Sequence, residues 1–108
     1  MTRNNADFFG SVNVPMSDVE EFIPADYDDG DVNKPIRMKS IDRETCANYD
    51  SHDEGYYNDL KADIAKNGIK DPIEATQTEK GNFLLTEGHH RVIIARELGL
   101  SHIPVVFK

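Results

Sequence analysis

Cysteine, tryptophan and long apolar runs are scarce in this sequence of 108 residues. Cys46 is the only cysteine, so no disulfide can form within the chain, and we expect a reducing compartment such as the cytoplasm. The longest apolar run, Val92–Ala95, is far shorter than the roughly 18 residues that a membrane-spanning helix requires. The first residues also lack the apolar stretch of a signal peptide. These absences predict a cytoplasmic protein with no membrane span.

Positive charge is scarce as well, with 12 Lys and Arg against 20 Asp and Glu and a net charge of -8. Residues 1–31 hold eight acids against one base, whereas residues 32–108 hold 12 acids against 11 bases. Neither part has the basic face that neutralises phosphates along DNA, so direct binding to duplex DNA is disfavoured. For the acidic segment 17–31 the sequence leaves two interpretations open, a solvated tail or a surface that docks on a basic protein partner.

The change in composition near residue 35 predicts two parts. Residues 1–34 are expected to form an acidic N-terminal extension, partly flexible, in which Ser17 and Glu20 form a capping box at the start of a short helix. Residues 35–108 are expected to form one domain, since a chain of this length supports a single modest core.

Apolar spacing within residues 35–108 predicts a mixed α/β (α+β) fold, a small sheet with two core helices. Tyr57, Leu60 and Ile64 form one helical stripe that ends at Asn67 and Gly68. A second helix is predicted from His90 to Leu98. The predicted strands are 35–41, 72–76, 82–86 and 103–107, of which the middle two flank a Gly-containing turn at 79–81.

The segment Glu87-Gly88-His89-His90-Arg91 lies where a predicted strand meets the start of a helix. The first turn of a helix presents unpaired N–H groups and the positive end of its dipole, and Gly88 allows a ligand to approach the backbone closely. Arg91, His89 and His90 add donors suited to phosphate. Glu87 is the candidate catalytic residue, because an acid beside a phosphate either accepts a proton or contacts a metal.

Structural interpretations of these residues also remain open. His89 and His90 are compatible with ordinary surface positions, and Glu87 with a helix cap. Zinc is disfavoured, because neighbouring histidines on a helix point about 100° apart and no Cys pair or His-x-x-x-His completes a ligand set. A nucleophilic Cys46 is also disfavoured by its polar surroundings, far from the loop in sequence.

Five features in this order resemble the ParB/sulfiredoxin superfamily domain, often labelled a ParB-like nuclease domain. They are Gly68-Ile-x-x-Pro72-Ile, a strand pair, Glu87-Gly-His-His-Arg91, Leu98-Gly99 and Ile103-Pro-Val. The resemblance covers roughly residues 35–108, which is about two-thirds of the chain, and leaves the acidic segment outside. We expect no helix-turn-helix segment, dimerisation tail or basic surface in addition to the core. The chain therefore resembles the stand-alone domains of phages and mobile elements.

The resemblance implies a nucleotide pocket on the loop and the helix start. ParB-type partition proteins bind CTP through a Gly-Glu-Arg-Arg box, of which Gly88 and Arg91 are retained here. Sulfiredoxins carry Gly-Cys-His-Arg, so His90 and Arg91 match while His89 replaces the catalytic cysteine, and sulfinic reductase activity is not expected. Members with acid-Gly-His-His-Arg include a free serine kinase that uses a nucleotide diphosphate, which implies that Glu87 is near the catalytic position.

The sequence therefore predicts three candidate functions. The first is binding of ATP, ADP or CTP, with or without Mg²⁺, at Gly88–Arg91, followed by hydrolysis or phosphate transfer that uses Glu87. The second is a non-enzymatic, phage-type interaction or inhibitor protein that acts through its acidic surface. The third, nuclease activity, ranks last because the chain has a net charge of -8 and no evident carboxylate cluster for two metals.

Overall fold

The computed structural model describes residues 10–27, 33–44 and 54–108. Its strands are β1 Ser11–Pro15, β2 Ile23–Pro24, β3 Ile73–Gln77, β4 Phe83–Glu87 and β5 His102–Phe107; its helices are α1 Met16–Val19, α2 Glu54–Asn67 and α3 His89–Glu97, with 3-10 turns at Ala25–Tyr27 and Met38–Ser40. The predicted mixed α+β fold with two core helices is confirmed. Cys46 lies outside the described residues. Among those described, no helix is long and apolar enough to cross a bilayer.

The five strands form one mixed sheet in the order β1-β5-β3-β4-β2. β1 and β5 pair antiparallel, β5 and β3 pair parallel, and β3 and β4 form an antiparallel hairpin. The predicted turn between β3 and β4 is present, and Gly81 N donates to Thr78 O at 3.0 Å. β4 lies inside the sheet, between β3 and β2, so the position of Glu87 at its end is fixed by pairing. Helix α3 begins two residues later.

The core lies between the sheet and the two longer helices. Tyr57 and Ile64 of the predicted helical stripe are buried, and Leu60 packs against the core at its margin. The second helix, α3, contributes four consecutive buried residues, Val92–Ala95. Because both faces of this stretch are covered, α3 is held firmly against the sheet and its first turn has a defined position.

The boundary predicted at residue 34 does not match the sheet. Ser11–Pro15 pairs with β5, and Ile23–Pro24 pairs with β4, so residues 11–24 supply both edge strands of the fold. Both strands give a weak signal in the sequence. β1 alternates only through Val12 and Val14, of which Val12 is exposed, and β2 has two residues. Much of the predicted extension therefore belongs to the folded unit.

Two local predictions are wrong. The segment 35–41 contains a 3-10 turn at Met38–Ser40 where a strand was expected, because its amides pair with the α1–β2 segment: Met38 N donates to Phe22 O and Lys39 N to Glu20 O. The capping box is also absent. Helix α1 begins at Met16, before Ser17, and no side chain caps its first turn.

Candidate functional site

Gly88 connects β4 to α3 in a conformation that other residues rarely adopt. Its φ is 103°, in the left-handed region, and a Cβ placed on it would lie 2.5 Å from Ile73 Cγ2. Glycine is thus required both by backbone strain and by contact with the neighbouring strand β3. The close packing brings the end of β4 and the start of α3 together at one edge of a cavity.

The start of α3 has hydrogen-bond donors available to a ligand. The first helical hydrogen bond runs from Val92 N to Gly88 O, so the amides of His89, His90 and Arg91 precede the helical ladder. Gly88 is the N-cap residue, and no side chain caps this end. A cavity of about 220 Å³ opens here, with walls formed by Thr86–Arg91, Asp26, Tyr27, Tyr56 and Leu60. The five residues predicted from the sequence therefore line one cavity.

His89 is the buried residue of this group. Its side chain is 6% exposed, its ring packs edge-on against Tyr27, and its Nδ1 lies 3.7 Å from Asp26 Oδ2. Among the described residues, no group forms a hydrogen bond with His89 Nε2. Burial lowers the pKa of His89, while the negative charge of Asp26 opposes that shift. The surface interpretation of His89 is therefore wrong, and its neutral form is favoured near neutral pH.

His90 and Arg91 have different environments. His90 Nδ1 lies 3.1 Å from the Tyr56 hydroxyl, and its ring packs edge-on against Tyr56 and Tyr57. Arg91 Nη1 donates to the carbonyl oxygens of Asp71 and Pro72 at 2.6 and 2.9 Å. These two bonds fix the guanidinium on the cavity wall before any ligand is present, which reduces the entropy lost when an anion binds.

Glu87 is the most exposed of the predicted site residues. Its side chain is 65% exposed, and its Oε1 lies 4.0 Å from Arg91 Nη2. Across residues 10–27, 33–44 and 54–108, no cluster of three His, Cys, Asp or Glu side chains is arranged to hold a metal ion. A metal at Glu87 would therefore need oxygen ligands from a bound phosphate, which is how Mg²⁺ is often held.

The sequence analysis missed Asp26, Tyr27 and Tyr56 as parts of the cavity. Asp26 and Tyr27 follow β2 directly, and the pairing of β2 with β4 carries them to His89. No local pattern marks this, because the two segments are far apart in the chain. Tyr56 precedes the buried Tyr57 of α2. Its position beside the apolar stripe of this helix was the one feature of the sequence that could have indicated its place in the cavity wall.

The described part of the acidic segment is partly neutralised within the fold. Glu20 is paired with Arg96, and Glu21 with Lys39. The Lys39 ammonium donates a hydrogen bond to Glu21 and lowers the pKa of that carboxyl. The proposed docking of a basic partner on residues 17–31 stays a prediction, and residues 28–31 of that segment lie outside the described part. Capture of a basic protein that weakens strongly with salt would support it.

A larger cavity lies elsewhere among the described residues. It has a volume of about 610 Å³ and lies between β1, β5 and the loop that follows α2, with Lys70 and His102 among its polar lining residues. Neither residue of that pair is buried. The cavity at α3 is smaller, yet it combines helix amides, a fixed guanidinium and a buried imidazole. These groups make it a better candidate binding site than the larger cavity.

Comparison with known proteins agrees with the fold. The family model described as the ParB N-terminal domain matches residues 24–108. The chain belongs to this family. The match includes Asp26 and Tyr27, so the residues that the sequence analysis missed lie within this ParB N-terminal domain. A search of curated protein sequences found no match to the chain.

Two solved structures share the fold of this ParB N-terminal domain. Sulfiredoxin from Arabidopsis thaliana has 17% sequence identity and a TM-score of 0.57, with 91% of this chain and 83% of that one covered. The C-terminally truncated chromosome-partitioning protein ParB from Caulobacter crescentus, complexed with CTP-gamma-S, has 18% identity and a TM-score of 0.57. That match covers 92% of this chain but only 44% of the ParB chain. The predicted ParB/sulfiredoxin-like fold is confirmed.

Proposed function

We propose that the chain binds a nucleotide through its phosphate groups at the start of α3. The observation that carries the proposal is the uncapped first turn of α3, which opens into a polar cavity beside Gly88, His89 and Arg91. The fold is shared with a ParB protein solved with CTP-gamma-S. This likeness supports a nucleotide as the ligand, while ATP, ADP and CTP all remain candidates.

Several weak attractions must act together, because the whole chain carries a net charge of -8 and repels anions at long range. A helix dipole contributes about 0.3–1 kcal/mol to the binding of one charge. Arg91 adds a charged donor that is already fixed by the carbonyls of Asp71 and Pro72. The backbone amides of His89 and Arg91, which precede the helical ladder, supply the remaining donors.

The binding site is tested by replacing Arg91 with alanine. We expect ATP, ADP, CTP or GTP, screened with and without Mg²⁺, to raise the melting temperature of the wild type, since a hundredfold excess over Kd adds roughly 2.7 kcal/mol. The Arg91→Ala variant should lose this shift, because the described residues that line the cavity include no other Lys or Arg.

Arg37→Ala is the matched control. Arg37 also donates to a backbone carbonyl, that of Glu21, but it lines a different cavity. It should lower basal stability while leaving the nucleotide-induced shift intact. A shift that survives Arg91→Ala, or one that disappears equally in Arg37→Ala, would contradict the placement of the ligand at α3.

We further propose that Glu87 is the acid–base group for hydrolysis or transfer of a bound phosphate. It lines the cavity beside Arg91, and it is exposed enough to exchange protons with solvent. Asp26 is the second carboxylate in the walls, so Mg²⁺ fits here if phosphate oxygens complete its coordination. Such an ion would neutralise charge on the phosphates.

Phosphate release tests the role of Glu87. With the nucleotide that binds best, Glu87→Gln should reduce release about a hundredfold while the melting-temperature shift is retained. Glu79→Gln, a substitution in the exposed β3–β4 turn, is the control and should release phosphate at the wild-type rate. Removal of divalent ions with a chelator separates a metal requirement from binding. Release unchanged by Glu87→Gln would assign the proton transfer to another group.

A further inference from the structure

Strand β1 lies at one end of the sheet, so one of its edges has no partner strand. In the order β1-β5-β3-β4-β2, β1 pairs only with β5 among the described strands, and its register is regular. An open edge presents backbone N–H and C=O groups, and proteins usually protect it with a charged side chain, a bulge or a covering segment. Residues 10–17 contain no charged side chain, although the chain carries a net charge of -8. The described edge of β1 is therefore suited to pairing with a further strand.

The backbone groups of Ser11 and Asn13 point away from the sheet. Met16 N, one residue beyond β1, donates to Ser101 O at 2.8 Å, so Met16 faces β5. Residues of an antiparallel strand turn their N–H and C=O groups to the two edges in alternation, so the even-numbered residues of β1 face β5. Asn13 is opposite Pro104, which has no N–H to donate, as this alternation requires. The outer edge thus presents the N–H and C=O groups of Ser11 and Asn13.

A second copy of β1 is complementary to this edge. In an antiparallel pair centred on Val12, Ser11 of each copy lies opposite Asn13 of the other, and the two residues exchange backbone hydrogen bonds. The Val12 side chains of the two copies then face each other at a non-hydrogen-bonded position, where side chains approach most closely. Val12 is 51% exposed in the single chain, so this pairing would remove an apolar side chain from water.

The surroundings of this edge also favour a second copy. Phe107 is 39% exposed and shares a face of the sheet with Val12, because Val12 pairs with Val105 and side chains two residues apart in a strand point to the same face. Two chains that each carry a net charge of -8 repel each other, and this repulsion is weakest where the contact contains no charged residue. The uncharged segment 10–17 meets that condition.

We propose that β1 pairs antiparallel with β1 of a second copy, centred on Val12, and joins two sheets into one continuous sheet. The inference is independent of the proposed nucleotide site, since no residue of β1 lines the cavity at α3. One short strand from each copy buries less than the roughly 1,200 Å² of a stable complex. The dimer is therefore weak, and it forms at high protein concentration.

Sedimentation of the full chain tests the proposal. The average mass should rise from monomer towards dimer between about 10 µM and 1 mM protein, the range of a weak complex. Added salt should strengthen the association, because it screens the repulsion between two acidic chains. Binding of a basic partner would instead weaken with salt, so the two kinds of interaction are distinguishable.

Opposite charges at position 12 test the register. Val12→Lys and Val12→Glu should each be monomeric, because like charges would face each other at the centre of the pair. An equal mixture of the two variants should associate, since Lys then faces Glu. Thr76→Lys and Thr76→Glu make the same charge changes at an exposed position in β3, and each should associate as the wild type does.

The backbone hydrogen bonds are tested by Asn13→Pro. Proline removes the outward N–H of Asn13 but no hydrogen bond to β5, so the variant should fold. It should raise the dissociation constant about tenfold, because half of the hydrogen bonds between the copies are lost. Asn13→Thr keeps the backbone N–H and is the matched control, which should associate like the wild type.

Four results would overturn the proposal. The first is a wild-type chain that stays monomeric at about 1 mM, as it would if another part of the same chain covered the edge. The second is a dimer that Val12→Lys leaves intact, and the third is a dimer that Asn13→Pro leaves intact, since either would place the interface elsewhere. The fourth is a mixture of Val12→Lys and Val12→Glu that remains monomeric, which would exclude a register centred on Val12.

Discussion

Gly88→Ala is expected to destabilise the protein by about 2–5 kcal/mol, since left-handed backbone strain costs roughly 1–2 kcal/mol and overpacking adds about 1–3 kcal/mol. The added Cβ would lie 2.5 Å from Ile73 Cγ2 and 2.9 Å from Ile73 Cβ. Ile73 is fully buried in β3, so it cannot move away without disturbing the core. The alternative is a displacement of the first turn of α3, which would also disrupt the proposed binding site.

Gly81→Ala separates the two causes. Gly81 has a φ of 87°, but no heavy atom lies within 4 Å of a Cβ placed there. The free energy of unfolding of this variant should therefore fall only by the cost of backbone strain, about 1–2 kcal/mol. Urea unfolding of both variants gives the comparison. Equal losses would mean that the contact with Ile73 is relieved at no cost, and the requirement for glycine at the site would then be one of backbone conformation alone.

The junction at Gly88 could be predicted because its signals are local. A strand pattern ending at Glu87, a glycine and a helix pattern after it specify the geometry within a few residues, and the residues of this junction line a cavity. Helix α2 was predictable for the same reason, since its apolar stripe repeats with the helical period and Gly68 ends it.

The rest of the site depends on pairings between distant segments. β2 has two residues and is a strand only because β4 lies beside it, so its own sequence carries no strand signal. Asp26 reaches His89 through that pairing, and composition alone assigned it to an acidic surface. The buried state of His89 was likewise hidden, because adjacent histidines at a helix start are equally compatible with exposure.

Arg96 connects these distant segments and should be among the residues most important for stability. Its guanidinium pairs with the Glu20 carboxylate through two nitrogens, each 2.9 Å from an oxygen. It also donates to the carbonyl oxygens of Met38 and Ile41 at 2.9 and 2.7 Å. One side chain of α3 thereby holds the end of α1 and the 3-10 turn at 38–40, which flank the segment carrying Asp26.

We expect Arg96→Met to cost about 2–4 kcal/mol of unfolding free energy, because a partly buried carboxylate and two carbonyls lose their donor together. The side chains of Arg96 and Glu20 are 27% and 19% exposed, whereas those of the surface pair Lys39 and Glu21 are 56% and 53% exposed. Lys39→Met is therefore the control and should leave the urea midpoint almost unchanged.

A double substitution identifies the cause of the Arg96 effect. If the unpaired carboxylate dominates, Arg96→Met combined with Glu20→Gln should lose less stability than the two single losses added together. If the losses add, the carbonyls of Met38 and Ile41 carry the effect. Either result should be accompanied by a smaller melting-temperature shift with nucleotide if the proposed site is correct, because Asp26 and Tyr27, which line the cavity, follow the segment that Arg96 holds. Unchanged binding in a destabilised Arg96→Met variant would show that β2 alone positions Asp26 beside His89.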